Sequence, residues 1–163
     1  MFTQILTTLD GSEYGERALG YARDLALPAG ARIALLTVVP TGTSPLETAD
    51  AEATRTRSAR ALAYLEERAQ VLREAGVVEV AAEVRTGQPA AVITEVAREL
   101  HADLIVMSTQ GLGADGRYTV GSVALKVLMT AHCPIFMVRI NKPEPPKDVE
   151  EERWQGEGGA NVG

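Results

Sequence analysis

The chain has 163 residues, of which 45% are hydrophobic and 23% are charged, and its formal net charge is -6. This length supports one hydrophobic core of ordinary size, so we expect one domain. The negative charge would repel a polyanion, and no run of Lys and Arg with interleaved aromatic residues offsets that repulsion. Nucleic acid is therefore not an expected partner.

No window approaches the length of about 18 apolar residues that a membrane span needs, and the N-terminal residues lack a basic segment followed by a long apolar run. We expect neither membrane insertion nor export. The single cysteine, Cys133, cannot form an internal disulfide, and His101 and His132 do not form a cluster at zinc-like spacing. These features favour a reducing cytoplasm and predict no metal held by the protein alone.

The beginning of the chain predicts a strand, a helix and a second strand. Phe2–Leu9 is an apolar run that ends at Asp10-Gly11-Ser12, and Gly30 ends the helix that follows. That helix carries apolar residues at helical spacing, namely Ala18, Leu19, Ala22, Leu25 and Ala26. The next run, Ile33–Val39, is apolar almost throughout, which is typical of a strand covered on both faces.

The middle of the chain predicts a loop at Pro40–Pro45, a long helix from about Ala49 to Ala75, and a strand at Val77–Val84. The weak alternation of this strand favours a place near the sheet edge. The helix ends at Gly76, and its inward stripe is Leu62, Leu65, Ala69 and Leu72.

The last part predicts two more helices, each followed by a strand. Pro89 opens the third helix, whose buried face is Val92, Ile93, Val96, Ala97 and Leu100, and Leu104–Met107 is the following strand. A fourth helix begins near Ser122, and its inward residues are Val123, Ala124, Val127, Leu128 and Ala131. Ile135–Val138 is the last strand.

Strands and helices thus alternate about five times along the chain. Because parallel crossovers are nearly always right-handed, we expect a three-layer, doubly wound, five-stranded parallel sheet of Rossmann- or flavodoxin-like architecture. Residues 1–140 would form this domain. Residues 141–163 are rich in Pro, Gly and acidic residues without apolar periodicity, which predicts a flexible tail.

The chain lacks the P-loop, the nucleophile elbow, the HExxH motif and a GxGxxG turn after the first strand. Its sharpest feature is Ser108–Ser122, with Gly111, Gly113, Gly116 and Gly121 between a buried strand and an amphipathic helix. Glycines allow φ > 0 and close ligand approach, and Gly121 and Ser122 would present free amides and a hydroxyl to phosphate. Alternatively, Ser122 caps its helix and the loop is merely mobile.

Topology adds a second constraint. In an open parallel sheet, ligands bind where the winding reverses, which in the strand order 3-2-1-4-5 lies between strands one and four. Asp10 would then face the glycine-rich loop, with Val38 and Val39 as an apolar wall, an arrangement that suits a nucleotide. Asp10 would meet the adenine or ribose end, because its charge repels phosphates. Asp10 could instead serve only in a turn and helix cap.

Several separated blocks resemble the universal stress protein family across Phe2–Arg139, and they are Ile5–Ser12, Ala18-Leu19, Gly87–Ala90, Ala102–Ser108, Gly121–Val123 and Cys133–Ile135. ATP-binding members of that family carry Gly-x-x-Gly, nine residues, then Gly-Ser or Gly-Thr. Gly111, the nine residues 112–120 and Gly121-Ser122 match this spacing, whereas Ser108 replaces the first glycine and Gln110 stands where histidine is frequent.

The resemblance implies an adenine nucleotide alpha hydrolase-like fold that binds ATP with Mg2+. The family's nucleotide contacts would fall on Thr8, Asp10, Val38, Met107, Ser108, Gly111, Gly121, Ser122 and Val123. The family also implies a homodimer along the last strand, Ile135–Val138, which would cover an apolar sheet edge. Alternatively, the tail from Asn141 folds over that edge.

We therefore expect a stress-response regulator in which ATP orders the 108–121 loop and changes a surface seen by partner proteins. A dimeric interaction module without nucleotide is the alternative, and slow ATP hydrolysis is a third. Fast catalysis is not expected, because no Ser-His-Asp set is present and neither histidine falls in the switch-point loops. Arg55, Arg57 and Arg60 lie among acidic residues, which indicates a solvated mixed-charge face.

Overall fold

The computed structural model describes residues 1–41, 51–110 and 120–139. Within these ranges five strands and four helices alternate along the chain: β1 (Gln4–Thr8), α1 (Glu13–Ala29), β2 (Arg32–Pro40), α2 (Ala51–Glu74), β3 (Val80–Gly87), α3 (Pro89–Glu99), β4 (Leu104–Ser108), α4 (Ser122–Thr130) and β5 (Ile135–Val138). The predicted strand at Val77–Val84 begins later, at Val80. The predicted tail, and the predicted loop beyond Thr41, lie outside the described residues.

The strands form one parallel sheet in the order β3-β2-β1-β4-β5. One apolar cluster joins α1 and α2 to one face of the sheet, and a second joins α3 and α4 to the other face. The predicted three-layer, doubly wound fold and its strand order are therefore confirmed.

β2 shows why its sequence is apolar without alternation. Ile33 and Leu35 belong to the cluster under α1 and α2, whereas Ala34 and Leu36 belong to the cluster under α3 and α4. All four side chains are buried. A strand between two helix layers has no solvent-facing side, so both sets of alternate residues must be apolar.

Two predicted core residues are exposed instead. Leu62 of α2 is 43% exposed and Leu128 of α4 is 53% exposed. The first buried residue of α2 is Leu65, so α2 begins several turns before its first buried contact. In α4, the buried residues are Ala124 and Val127. Helical periodicity identified the apolar stripes, but the sheet covers only part of each stripe.

Asp103 ties the beginnings of β1 and β4 together at the edge opposite their carboxyl ends. Its Oδ2 accepts hydrogen bonds from Thr3 N and Thr3 Oγ1, both at 2.8 Å, and its Oδ1 accepts one from Gln4 N at 3.3 Å. Partial burial disfavours the charged form, but these hydrogen bonds outweigh it and hold the pKa of Asp103 below its usual range.

We expect the Asp103 carboxylate to stabilise the fold above its unfolded-state pKa of about 4, and this contribution to be lost as the pH falls through the lower folded-state pKa. Asp103→Asn should lower the free energy of unfolding by about 1 kcal/mol at pH 7. Urea denaturation at pH 7 and pH 3 should show the difference shrinking at the lower pH. Asp24→Asn, which alters an exposed pair with Arg23, is the control; a pH-independent difference for Asp103→Asn would contradict this role.

The two leucines of α2 give a matched pair for core burial. Leu65→Ala removes a fully buried side chain and should lower the free energy of unfolding by about 2 to 5 kcal/mol. Leu62→Ala removes the same atoms from an exposed position and should cost less than about 1 kcal/mol. Equal losses in urea denaturation would show that Leu62 is also covered in solution.

Candidate functional site

A cavity of about 780 Å³ lies at the carboxyl edge of the sheet. Its walls come from the ends of β1, β2 and β4 and from the first turns of α3 and α4, with Arg57 of α2 as a further lining residue. The predicted site residues among the described ranges all line it, and they are Thr8, Asp10, Val38, Met107, Ser108, Gly121, Ser122 and Val123. Gly111 lies outside the described residues. The cavity therefore brings the predicted set together, while its contacts with a ligand stay a prediction.

Parallel winding explains this position. β1 pairs with β2 on one side and with β4 on the other, in a register that places Thr7 opposite Val106. The chain leaves β1 toward the α1 face and leaves β4 toward the α4 face, so the connections diverge at the carboxyl ends of these two strands. This divergence produces the crevice in which open parallel sheets bind ligands.

Asp10 stands at the end of β1 and organises the turn into α1. Its Oδ1 accepts hydrogen bonds from Ser12 N at 3.0 Å and Ser12 Oγ at 2.5 Å, while Ser12 Oγ accepts one from Gly15 N at 3.3 Å. Gly11 between them has φ 81, a left-handed conformation that favours glycine. Ser12 is therefore the helix cap, and Asp10 orients that cap while its exposed side chain lines the cavity.

The wall beside Asp10 is apolar and is fixed by contacts between neighbouring strands. Leu9 N donates to Leu36 O at 2.9 Å, and Thr37 Oγ1 donates to Leu9 O at 2.7 Å. These bonds hold the end of β1 against β2, whose Val38 and Val39 line the cavity as predicted. The result is an apolar shelf next to a carboxylate.

Gly121 differs from its predicted role at the start of α4. Its N–H is not free, because it donates to Thr109 O at 2.7 Å, and its φ of -61 needs no glycine. A Cβ at this position would lie 3.2 Å from Thr109 O, so the close approach of two backbone segments explains the glycine instead. The amides of Ser122 and Val123 remain in the first helical turn, where no preceding turn supplies acceptors.

Ser108 occupies the end of β4 without backbone strain. Among the described residues other than glycine, only His101 has a positive φ, so Ser108 does not need the left-handed conformation that a glycine would allow. Its Oγ donates to the carbonyl oxygen of Gln110. The serine hydroxyl therefore supports the local turn at the cavity wall.

Arg57 is a charged lining residue that the sequence analysis did not place at the site. We predicted that Arg57 lies on a solvated face, and its side chain is indeed exposed, but it also forms part of the cavity wall. Asp10 and Arg57 are the two charged side chains that the described residues contribute to this wall. No signal specific to Arg57 exists in the sequence: the positions three and four residues away on the helix offer no carboxylate, but the same is true of Arg60, which does not line the cavity.

A side-chain cluster joins α1 and α2 close to the cavity. Tyr64 Oη donates to Glu16 Oε1, Arg68 Nε lies 3.2 Å from the same oxygen, and the Arg68 guanidinium stacks over the Tyr64 ring at 5.3 Å. Burial, followed by the carboxylate of Glu16 and a smaller effect of Asp10, raises the pKa of Tyr64. Tyr64 therefore stays a neutral donor that holds α2 beside α1.

Across residues 1–41, 51–110 and 120–139, no three His, Cys, Asp or Glu residues come together as a metal site. Asp115, the one extra carboxylate of the glycine-rich segment, lies outside them. None of the helices found there combines the length and apolarity that crossing a bilayer requires.

Comparison with known proteins assigns the chain to a family. A model described as "Universal stress protein family" matches residues 1–139. The chain belongs to the universal stress protein family. A universal stress protein of Thermus aquaticus is 37% identical over 140 residues, which are 85% of this chain and 100% of that protein. A relative from Staphylococcus haemolyticus, assigned to the same family, is 33% identical over 153 residues, which cover 93% and 92% of the two chains.

Solved structures of universal stress proteins share the architecture. The UspA protein of Lactobacillus plantarum superposes with a TM-score of 0.78 at 26% identity, over 85% of this chain and 98% of that one. A universal stress protein solved in complex with cAMP gives 0.65 at 23% identity, covering 84% and 97%. An Arabidopsis thaliana family member with AMP bound gives 0.60 at 21% identity, covering 90% and 97%. The resemblance inferred from the sequence blocks is thereby confirmed.

Proposed function

We propose that this universal stress protein binds an adenine nucleotide, with ATP as the expected ligand, in the cavity at the carboxyl edge of its sheet. The observation that carries the proposal is that Asp10 and the N-terminus of α4 line the same cavity of about 780 Å³. A volume of this size lies within the usual range for small-molecule pockets. Family members solved with cAMP and with AMP support the same ligand class.

The cavity offers chemically distinct surfaces for the parts of a nucleotide. Val38 and Met107 provide apolar contact for the adenine ring, and the Asp10 carboxylate can accept hydrogen bonds from ribose hydroxyls. The first-turn amides at Ser122 and Val123 suit phosphate oxygens, because a helix N-terminus carries a partial positive charge. Each chemical group thus has a complementary wall.

Magnesium enters this proposal only as part of the ligand. The described residues offer no cluster of carboxylates or histidines that would hold the ion by themselves. Mg2+ commonly binds through substrate phosphates and water with few protein ligands, so its fit depends on the triphosphate. Magnesium alone should therefore leave the melting temperature unchanged.

The proposed role is regulatory rather than catalytic. Asp10 is the carboxylate that the described residues place in the cavity wall, and no histidine or lysine of theirs joins it. Fast hydrolysis usually requires a general base and a second group that donates a proton. We therefore propose a nucleotide-dependent surface for partner proteins in the cytoplasm, with hydrolysis at most slow.

A thermal-shift titration with ATP, ADP, AMP and GTP, with and without magnesium, tests the ligand. Because a ligand that binds only the native state raises the melting temperature, adenine nucleotides should give a saturable increase. Asp10→Ala should weaken ATP binding by about tenfold through loss of the ribose acceptor.

Ser12→Ala is the matched control, because it disrupts the α1 cap while leaving the Asp10 carboxylate in place. Its ATP affinity should stay within about threefold of the unmodified protein, although its unfolding free energy should fall by about 1 kcal/mol. No shift with any nucleotide, in protein purified free of nucleotide, would refute the proposal and favour the nucleotide-independent module.

We also propose that two copies associate along β5. The two sheet edges differ: β3 carries Arg85, which pairs with Glu83 and Glu99, whereas β5 exposes Phe136 in contact with Tyr21. Charges protect an edge strand from pairing, while an apolar edge favours it. α4, the helix that leads into β5, also exposes apolar side chains, and they are Leu125, Leu128 and Met129.

Sedimentation of the full chain should give the mass of a dimer, and Phe136→Lys should shift it toward the monomer, because a charge at the pairing edge opposes association. Val78→Lys, at a position 75% exposed on the β2–β3 side of the sheet, is the control and should remain dimeric. A monomeric unmodified chain would contradict the dimer and favour coverage of the edge by the tail.

A further inference from the structure

Arg57 is a cation of the cavity wall to which the proposed nucleotide contacts assign no role. It lines the cavity, whereas its neighbours Arg55 and Arg60 on the same helix do not. The protein is acidic as a whole, with a net charge of -6, so a cation at this wall runs against the general charge. An arginine in a cavity that also presents a helix N-terminus indicates an anionic ligand group.

Among the described residues, the Arg57 guanidinium makes only long hydrogen bonds within its own helix. Its Nε donates to Ala53 O at 3.4 Å and its Nη2 donates to Thr54 Oγ1 at 3.3 Å, both long for hydrogen bonds. It forms no ion pair with a carboxylate in the part of the chain that the structure describes. A guanidinium has five N–H donors, so most of them can serve a ligand.

The position of Arg57 on α2 is set by the cluster that holds this helix against α1. Arg57 precedes Tyr64 by seven residues and Arg68 by eleven, so at 3.6 residues per turn the three side chains lie on about the same face of α2. Tyr64 and Arg68 use that face to contact Glu16. Arg57 lies on the same face two turns before Tyr64, about 10 Å nearer the N-terminus of α2, where it lines the cavity at the carboxyl ends of the strands.

Arg57 and the α4 N-terminus approach the cavity from opposite layers of the fold. α2 belongs to the layer of α1, and α4 belongs to the layer of α3. A chain of phosphates offers a separate anionic group to each of these two positive surfaces, whereas a single phosphate offers one group to both.

We propose that Arg57 contacts the phosphate chain of the bound adenine nucleotide and makes the site prefer nucleotides with two or more phosphates. This inference rests on the proposed nucleotide site and adds a specificity-determining residue to it. Planar guanidinium groups bind phosphate oxygens in pairs, which a lysine ammonium does not reproduce. Arg57→Lys should therefore retain only part of the preference.

Equilibrium binding of adenosine, AMP, ADP and ATP to the full chain tests the inference by isothermal titration calorimetry. The unmodified protein should bind ATP and ADP more tightly than AMP. Arg57→Gln should weaken ATP binding by about tenfold and adenosine binding by less than about twofold. The loss for ATP should shrink as ionic strength rises, because salt screens the contact.

Arg55→Gln is the matched control, since it removes the same charge from an exposed position on the same helix that does not line the cavity. Its ATP affinity should stay within about twofold of the unmodified protein. Melting temperatures without ligand should be equal for the two variants, because both side chains are exposed.

The possible failures are distinguishable. If the unmodified chain binds ATP but Arg57→Gln binds it equally well, the role of Arg57 is overturned and the nucleotide site stands. Equal losses in Arg57→Gln and Arg55→Gln would overturn it as well, because net charge alone would then explain the effect. An equal loss for adenosine and ATP would exclude a phosphate contact. If the unmodified chain binds none of the four ligands, both proposals fail.

Discussion

The reversal of winding between β1 and β4 is the constraint on which the rest of this structure depends. Because crossovers between parallel strands are right-handed, a chain that moves from β1 outward to β3 places α1 and α2 on one face. It must then return to the other side of β1, which places α3 and α4 on the opposite face. The carboxyl ends of β1 and β4 therefore lie between two diverging layers, and the cavity forms there.

Backbone hydrogen bonds between distant segments give this cavity its defined walls. Leu9 is joined to Leu36, Thr109 is joined to Val138, and Gly121 is joined to Thr109. These contacts join β1 to β2, β4 to β5 and the start of α4 to the end of β4, and they use only backbone atoms. The close approach of Gly121 to Thr109 O favours a glycine there, and the next amides of α4 lie at the cavity, where we propose that they bind phosphate. Backbone hydrogen bonds thus fix these walls of the proposed site in the absence of a ligand.

The two edges of the sheet differ in their side chains, and this difference supports the proposal that copies associate along β5 and not along β3. The β3 edge carries paired charges that discourage strand addition, while β5 exposes Phe136. α4 presents its first turn to the cavity, and its exposed apolar side chains precede β5 in the chain.

The sequence by itself determined the nature and order of the elements, the doubly wound class and the loops that meet at the cavity, because apolar periodicity and glycine positions are local properties of the chain. It also carried the blocks that identify the family. Only the tertiary structure decided that Leu62 and Leu128 are exposed, that the Gly121 amide is already bonded to Thr109, and that Arg57 reaches the cavity. Each of these facts depends on where a distant segment ends. A helical pattern shows which residues share a face, but the neighbouring layers determine how far that face is covered and what it meets.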